Sequence, residues 1–212
     1  MAAQISLPIF PLPDLTFFPH TMLPLHIFEA RYRAMITDCL SRDRRLAVVG
    51  LRPGYEASYE GRPAVYDVMG VGHIVQWERM ATGRFNLLVQ GECRARIDRE
   101  LPADTLYRMV AATPLEDTGV DAPGVAALAS RVRSRAAQIL ATVGRSGVEL
   151  QATLDALTEP GRLCDLIAST LVPSSSTRQA LLEDLHLERR LERLAAALDD
   201  LRSHLTGEGG RA

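Results

Sequence analysis

Lysine is absent from the 212-residue chain, so all 24 basic residues are arginine. That absence removes whole reaction classes. A Walker A phosphate loop sets a lysine on the β/γ-phosphates, a Ser-Lys peptidase uses lysine as its base, and a Schiff-base enzyme needs the amine itself. None has its essential residue here, and the expectation is a chain that is not an enzyme. Cysteine is scarce and odd in number. Cys39, Cys93 and Cys164 stand far apart, which provides neither a disulfide framework nor a zinc ribbon and reads as buried thiols. No CxxC or HExxH spacing occurs either. His20 and His26 flank a proline-rich turn and His73 falls on a strand, without a third donor spaced to complete a metal set. No metal and no cofactor are expected. Apolar runs fall short of the roughly 20 residues of a membrane span, and the start MAAQISLPIF has no basic leader. A cytoplasmic protein without membrane contact is expected.

What is present falls into two periods, the first of them two residues long. From Phe85 the odd positions Phe85, Leu87, Val89, Gly91, Cys93, Ala95 and Ile97 are apolar or small, while Asn86, Gln90, Glu92, Arg94, Arg96 and Asp98 are polar. That alternation puts one face of an antiparallel strand on a core and the other in water. Val71, Ile74, Val75 and Trp77 supply its partner, joined through Met80 to Arg84 with Gly83 at the turn. A lone hairpin is marginally stable, so further strands and a helix must cover it. Residues 5–27 carry prolines at 8, 11, 13, 19 and 24 and read as two short edge strands turning at Pro13-Asp14 and Pro19-His20. Phe28, Tyr32, Met35, Ile36, Cys39 and Leu40 follow at helical spacing. Leu46 to Leu51 reads as a buried central strand, Arg52 to Pro63 as an exposed loop, and Leu106 to Ala111 as a last strand. Gly70-Val71-Gly72 lacks the third glycine and following helix of a dinucleotide fingerprint. It marks a bend or the close approach of another backbone.

Through Pro114 to Gly124 the period changes to 3.6, which divides a β subdomain, residues 1–115, from a helical bundle, residues 116–212. Asp121 and Pro123 suit the start of a helix with Val125, Leu128, Val132, Ile139 and Val143 inward and Gly144 at its end. Leu150, Leu154 and Leu157 mark a second. Pro160-Gly161 opens a third with Leu163, Leu166, Ile167 and Leu171 inward, and Ser176 to Gln179 has capping-box spacing for a fourth. Leu187, Leu191, Leu194, Leu198, Leu201 and Leu205 then form a heptad seam, which suits a bundle helix or a coiled coil.

The order LPIFPLPDLTFFPHTMLPLHIFEARY, RLAVVGL, VGHIVQWERMATGRFNLLVQGECRARI, PGRLCDLIASTL and RQALLEDLHLERRLERL resembles the N-terminal, substrate-recognition domain of the bacterial Lon protease family, from Leu7 to Leu205. The resemblance implies an α+β fold: a PUA-like antiparallel β pseudo-barrel with one helix, then an α-helical bundle. It also implies a non-enzymatic module that binds unfolded or exposed polypeptide segments, as an adaptor or regulator for a protease or chaperone machine. The ATPase and peptidase modules that follow in that family find no place before Ala212. Candidate peptide contacts are Phe17 and Phe18 in the opening turn, Tyr55 and Tyr59 in the loop, and Trp77 and Met80 at the hairpin tip, because aromatics and methionine suit adaptable binding; for Phe17, Phe18 and Trp77 the alternative, and the stronger reading for each alone, is burial in the core. The alternative is a nucleic-acid or small-ligand face built from Arg79, Arg84, Arg94 and Arg96. The net charge of −2 and the interleaved Glu78, Glu92 and Asp98 argue against that alternative.

The leucine seam generates a test of self-association. Burial of a leucine stabilises by roughly 2 kcal/mol, so Leu187 to Leu198 should fold back on the bundle and the distal leucines should support only a monomer or weak homodimer. Sedimentation of the intact chain and of one ending at Asp199 checks this. A tight dimer that the truncation abolishes would reveal a coiled coil instead.

Overall fold

The computed structural model describes residues 3–58, 61–102, 105–142 and 145–208. It divides into two compact units, Met1–Glu116 and Asp117–Ala212. The first holds β1 (Ile5–Leu12), β2 (Met22–Ile27), α1 (Ala30–Leu40), β3 (Arg45–Gly50), β4 (Val68–Arg79), β5 (Phe85–Leu101) and β6 (Met109–Leu115). Their order is β2-β5-β4-β3-β1-β6, and β6 returns to pair with β5. Five strands therefore close into a ring, with β2 attached to the first half of β5. Only β1 and β3 run parallel; the other named pairs are antiparallel.

The opening segment turns where expected, at Asp14 and His20, both with positive φ (51° and 61°). The expectation of two edge strands holds only for β2. β1 lies inside the ring, with Ile5 to Pro8 paired to β6 and Ile9 to Leu12 paired to β3. Each half has a ladder on one side only, so Pro8 and Pro11 sit in an interior strand without depriving two neighbours of a donor. Phe28 departs further. The helix begins after Glu29, leaving Phe28 outside it and 60% exposed, while Tyr32, Met35, Ile36 and Cys39 form the buried stripe.

Two cores use the two faces of the sheet. Leu46 and Val48 of β3 pack with α1, Phe10, Phe17 and Phe85, and Ala47 and Val49 pack with Leu7, Ile9, Val71 and Val110, which come from the other ring strands. That division explains why β3 is apolar at successive positions. β5 needs a different device, because Phe85, Leu87 and Val89 face the first core while Ala95 faces the second. Gly72 pairs with Gly91 and Val71 with Cys93, so Glu92 is an extra residue. This bulge reverses which face the odd positions occupy. Arg94, expected in water, is consequently only 4% exposed.

Gly70, Gly72 and Gly91 admit a second backbone. A Cβ on Gly70 would overlap the Phe17 carbonyl oxygen, one on Gly91 would overlap that of Phe18, and one on Gly72 would stand 2.6 Å from the Phe17 ring. His20 N–H donates to the Gly91 carbonyl at 2.9 Å, and Gly91 N–H donates to the Thr21 carbonyl at 2.8 Å. Close approach of the Phe17-Phe18 segment is the alternative the glycine pair suggested.

The second unit comprises α2 (Val125–Leu140), α3 (Arg145–Ala156), α4 (Pro160–Leu171), α5 (Ser175–Glu183) and α6 (Leu187–Glu208). α2 starts after Gly124, three residues beyond the expected cap Asp121; Val143 and Gly144 lie outside the described residues. The α5 cap is Ser174, whose Oγ accepts from Thr177 N–H at 3.2 Å. Gln179, expected to complete a capping box, is buried and donates to Glu183 at 2.9 Å. In α6, Leu187, Leu191, Leu194 and Leu198 are buried, and Leu205 is 44% exposed. Beside them Arg190, fully buried, donates through Nη1 to Asp117 at 2.7 Å and to the Asp184 carbonyl at 3.0 Å; Nη2 meets the other Asp117 oxygen. Asp165, also buried, stands 3.8 Å from Nε. Burial opposes the charge, but the Asp117 bonds and the Asp165 field outweigh it and hold the guanidinium more firmly protonated than usual. Removing either sign from such a cluster costs about 3–5 kcal/mol, since a buried charge is left unpaired.

The crowded glycine approach predicts that Gly91→Ala destabilises the chain by about 1–3 kcal/mol or more, because the obstacle is backbone and cannot rotate away. Urea unfolding monitored by circular dichroism checks this. An unchanged midpoint would contradict the approach.

Candidate functional site

Exposed apolar side chains gather toward one end of the β2–β5–β4 sheet. Ile27, Phe85 and Arg79 form its last common rung, and Phe28 and Met80 each follow it on the outer strands. Trp77 pairs with Leu87, which pairs with Leu25. Leu87 is buried, yet Trp77 is 49% and Met80 39% exposed, because the ladder beyond the irregularity at Val75 has left the part of β4 that the ring covers. The Arg79 guanidinium lies over the Phe85 ring, 5.8 Å from its centroid, and the His26 ring stacks on Phe28 at 6.4 Å.

The other candidates do not join this group. Phe17 and Phe18 are buried in the seam over the glycines and offer nothing to a partner. Tyr55 is half-buried in a short 3₁₀ turn, Tyr55–Ser58, and Tyr59 lies outside the described residues. The arginine face divides as well: Arg79, Arg84 and Arg96 are exposed, but Arg94 is not. Directly paired residues share a face, so Arg94 lies with its partner Gly70 on the side crossed by Phe17. The bulge, rather than composition, takes it out of solvent.

A second feature has no short-range signal in the sequence. A pocket of about 140 Å³ is walled by Pro11, Leu51, Tyr32 and Tyr107, with Arg31, Arg62 and Arg108 around it. Arg31 stacks on Tyr32 at 4.7 Å and its Nε donates to Glu29 at 2.9 Å. Arg108 donates to the Pro63 carbonyl at 2.8 Å and to Glu100, which also stands 3.9 Å from Arg62. These arginines come from α1, the loop after β3 and the segment just before β6, and only the closed ring brings them together.

Tyr107 also borders a pocket of about 210 Å³ with Asp38, Cys39 and Arg42. Its hydroxyl donates to Asp38 at 2.6 Å. Burial first, and then that bond, pushes the phenol up to about 12. Burial, reinforced by Asp43 and Asp38, pushes the Cys39 thiol up to about 12. Burial likewise raises Cys93. A thiol so shifted is a poor nucleophile at neutral pH. Among the described residues no group of three His, Cys, Asp or Glu could hold a metal ion, and no helix is long and apolar enough to cross a membrane.

A closed, mostly antiparallel ring whose β1–β3 pair is parallel, with one covering helix and followed by a five-helix unit, defines an α+β domain of the Lon N-terminal kind. The family model described as the ATP-dependent protease La (LON) substrate-binding domain matches residues 6–200, and the chain belongs to that family. Lon protease 2 of Myxococcus xanthus is 29% identical over 200 residues, covering 94% of this chain and 24% of its own. The Lon protease of Desulfovibrio desulfuricans is 31% identical over 180 residues, covering 84% and 20%. The chain thus spans about a quarter or less of these relatives' length. The N-terminal domain of the Mycobacterium avium complex Lon protease superposes with a TM-score of 0.76 at 20% identity, over 92% of this chain and 99% of that one. A Lon N-terminal domain protein from Xanthomonas campestris gives 0.63 at 22% identity, over 91% and 98%. Both share the fold.

The two raised groups generate a pH prediction. Cys39 and Tyr107 ionise more readily in the unfolded chain than in the fold, so the native state holds more protons above about pH 9 and stability must fall as pH rises from there toward 12. Denaturant midpoints between pH 8 and 11 should decline. Tyr107→Phe should flatten part of that decline, and a profile level across the range would contradict both shifts.

Proposed function

We propose that the chain is a non-enzymatic module that captures unfolded or exposed polypeptide segments and serves a proteolytic machine as adaptor or regulator. The observation that carries this reading is the half-exposed Trp77, held on a rigid strand with Met80 and Phe28 beyond it, in a member of a substrate-binding family. Rigid aromatic side chains lose little conformational freedom on binding, and methionine adapts to varied partners. Such side chains suit many apolar sequences. The lack of lysine supports the non-enzymatic part, because it removes both the nucleotide-loop and the Ser-Lys chemistry. A nucleic-acid surface is less well supported: with Arg94 buried, only three dispersed arginines remain of the four.

Trp77 is the single tryptophan, so its emission reports directly on this end of the sheet. Adding a permanently unfolded, tryptophan-free polypeptide such as reduced, carboxymethylated ribonuclease A should shift the emission to the blue and saturate. Met80→Ala with Phe28→Ser should weaken the titration about tenfold, near 1.4 kcal/mol. No spectral change at tens of micromolar polypeptide would defeat the proposal.

A further inference from the structure

The arginine-lined pocket has a charge balance that points to a ligand. Glu29 pairs with Arg31. Glu100 pairs with Arg108 and stands at long range from Arg62. Among the described residues three guanidiniums thus face two carboxylates, which leaves one positive charge. Arg31 uses only its Nε for Glu29 and its π face for Tyr32, so its two terminal nitrogens have no hydrogen-bond partner among the described residues. The planar fork of such a group suits a carboxylate, which it can bind through two parallel bonds. Much of the remaining wall is apolar, with Pro11, Leu51 and Pro63 beside the two tyrosine rings, and the Thr105 hydroxyl donates to the Tyr107 carbonyl.

A space of about 140 Å³ admits one residue and excludes a folded chain. The ligand must supply a single negative charge and an apolar group together. An aspartate or glutamate side chain supplies the charge but leaves the apolar wall unfilled. A chain end supplies both, since the α-carboxylate and an apolar side chain leave the same Cα. Inorganic phosphate has no apolar part. We propose that this pocket seats the C-terminal residue of a captured polypeptide, with Arg31 and Arg62 on its α-carboxylate and its apolar side chain against Pro11 and Leu51. The assignment rests on the capture function above and specifies which part of a substrate this pocket reads. It lies apart from the Trp77 end in residue content, so the two contacts separate experimentally.

The test uses an unstructured ten-residue peptide ending in leucine, labelled at its N terminus and followed by fluorescence anisotropy. It is prepared as the free acid, as the C-terminal amide, and as the amide with an internal glutamate. The free acid should bind at least tenfold more tightly than either amide. Arg31→Gln with Arg62→Gln should abolish that difference and leave the affinity of the amide unchanged, with the thermal midpoint confirming the fold. If the double variant does not fold, competition on the unsubstituted protein decides: N-acetyl-leucine should displace the acid peptide and N-acetyl-leucinamide should not. Equal binding of acid and amide overturns the proposal. So does recovery by the internal glutamate, or displacement by inorganic phosphate as effective as by N-acetyl-leucine. Those results with an intact Trp77 response would overturn the pocket alone. Silence from every peptide together with no Trp77 response would overturn the capture reading with it.

Discussion

Strand β5 is asked to serve two cores with one alternation. Its first half is flanked by β2 and β4 and faces the core under α1; its second half is flanked by β4 and β6 and faces the core within the ring. A regular strand keeps its odd residues on one side throughout. The extra residue Glu92 resolves this by exchanging the faces midway, where the sheet turns from an open ladder into a closed ring. Arg45 anchors the bulged residue at 2.8 Å and His73 stands 4.0 Å from its other oxygen. Much else follows from that exchange. It turns Arg94 away from solvent and brings Ala95 into the core within the ring.

Most of the architecture was readable because period and punctuation agree locally. The change from period two to period 3.6 after Pro114 falls close to the division after Glu116, and the glycines at 70 and 72 marked a close backbone approach that is present. The errors share one cause: they concern which neighbour covers a residue, and a neighbour distant in sequence leaves no local mark. A period-two pattern of odd residues looks the same with or without a bulge when small residues such as Gly91 and Cys93 occupy the crossing. Phe17 and Phe18 read either as turn aromatics or as core, and their burial over the glycines decides for core. β1 looked like an edge because of its prolines, whereas the ring divides its pairing into two one-sided halves. The arginine pocket was out of reach for the same reason. Its three guanidiniums are separated by 31 and 46 positions in the chain, as their numbers show.

The helical unit illustrates the complementary case, in which sequence spacing was a good guide and side-chain polarity was a poor one. The seam from Leu187 to Leu198 is buried as its period requires. Arg190, a charged residue inside that stretch, is buried too, because Asp117 and Asp165 come from the segment before α2 and from α4 to neutralise it. Heptad analysis treats such a position as flanking and therefore wet. Here the cluster ties three separated segments to one guanidinium, whose planar fork can reach all of them at once.

Under the proposed capture function, β2 limits how a polypeptide engages the exposed end. Among the described residues β2 pairs with β5 alone, and an unpaired strand edge is an ordinary site for strand addition. Pro24 sits in the middle of that short strand and removes one of its few donors, so a chain laid along it cannot form an uninterrupted ladder. Main-chain pairing would in any case bind extended segments with little regard to their side chains. Exposed apolar groups here include Trp77, Met80 and Phe28, which reward apolar side chains and ignore backbone register. Under the proposed capture function, recognition by this end therefore depends on apolar content rather than on a defined sequence, which is what distinguishes an unfolded segment from a folded surface whose apolar groups are already covered.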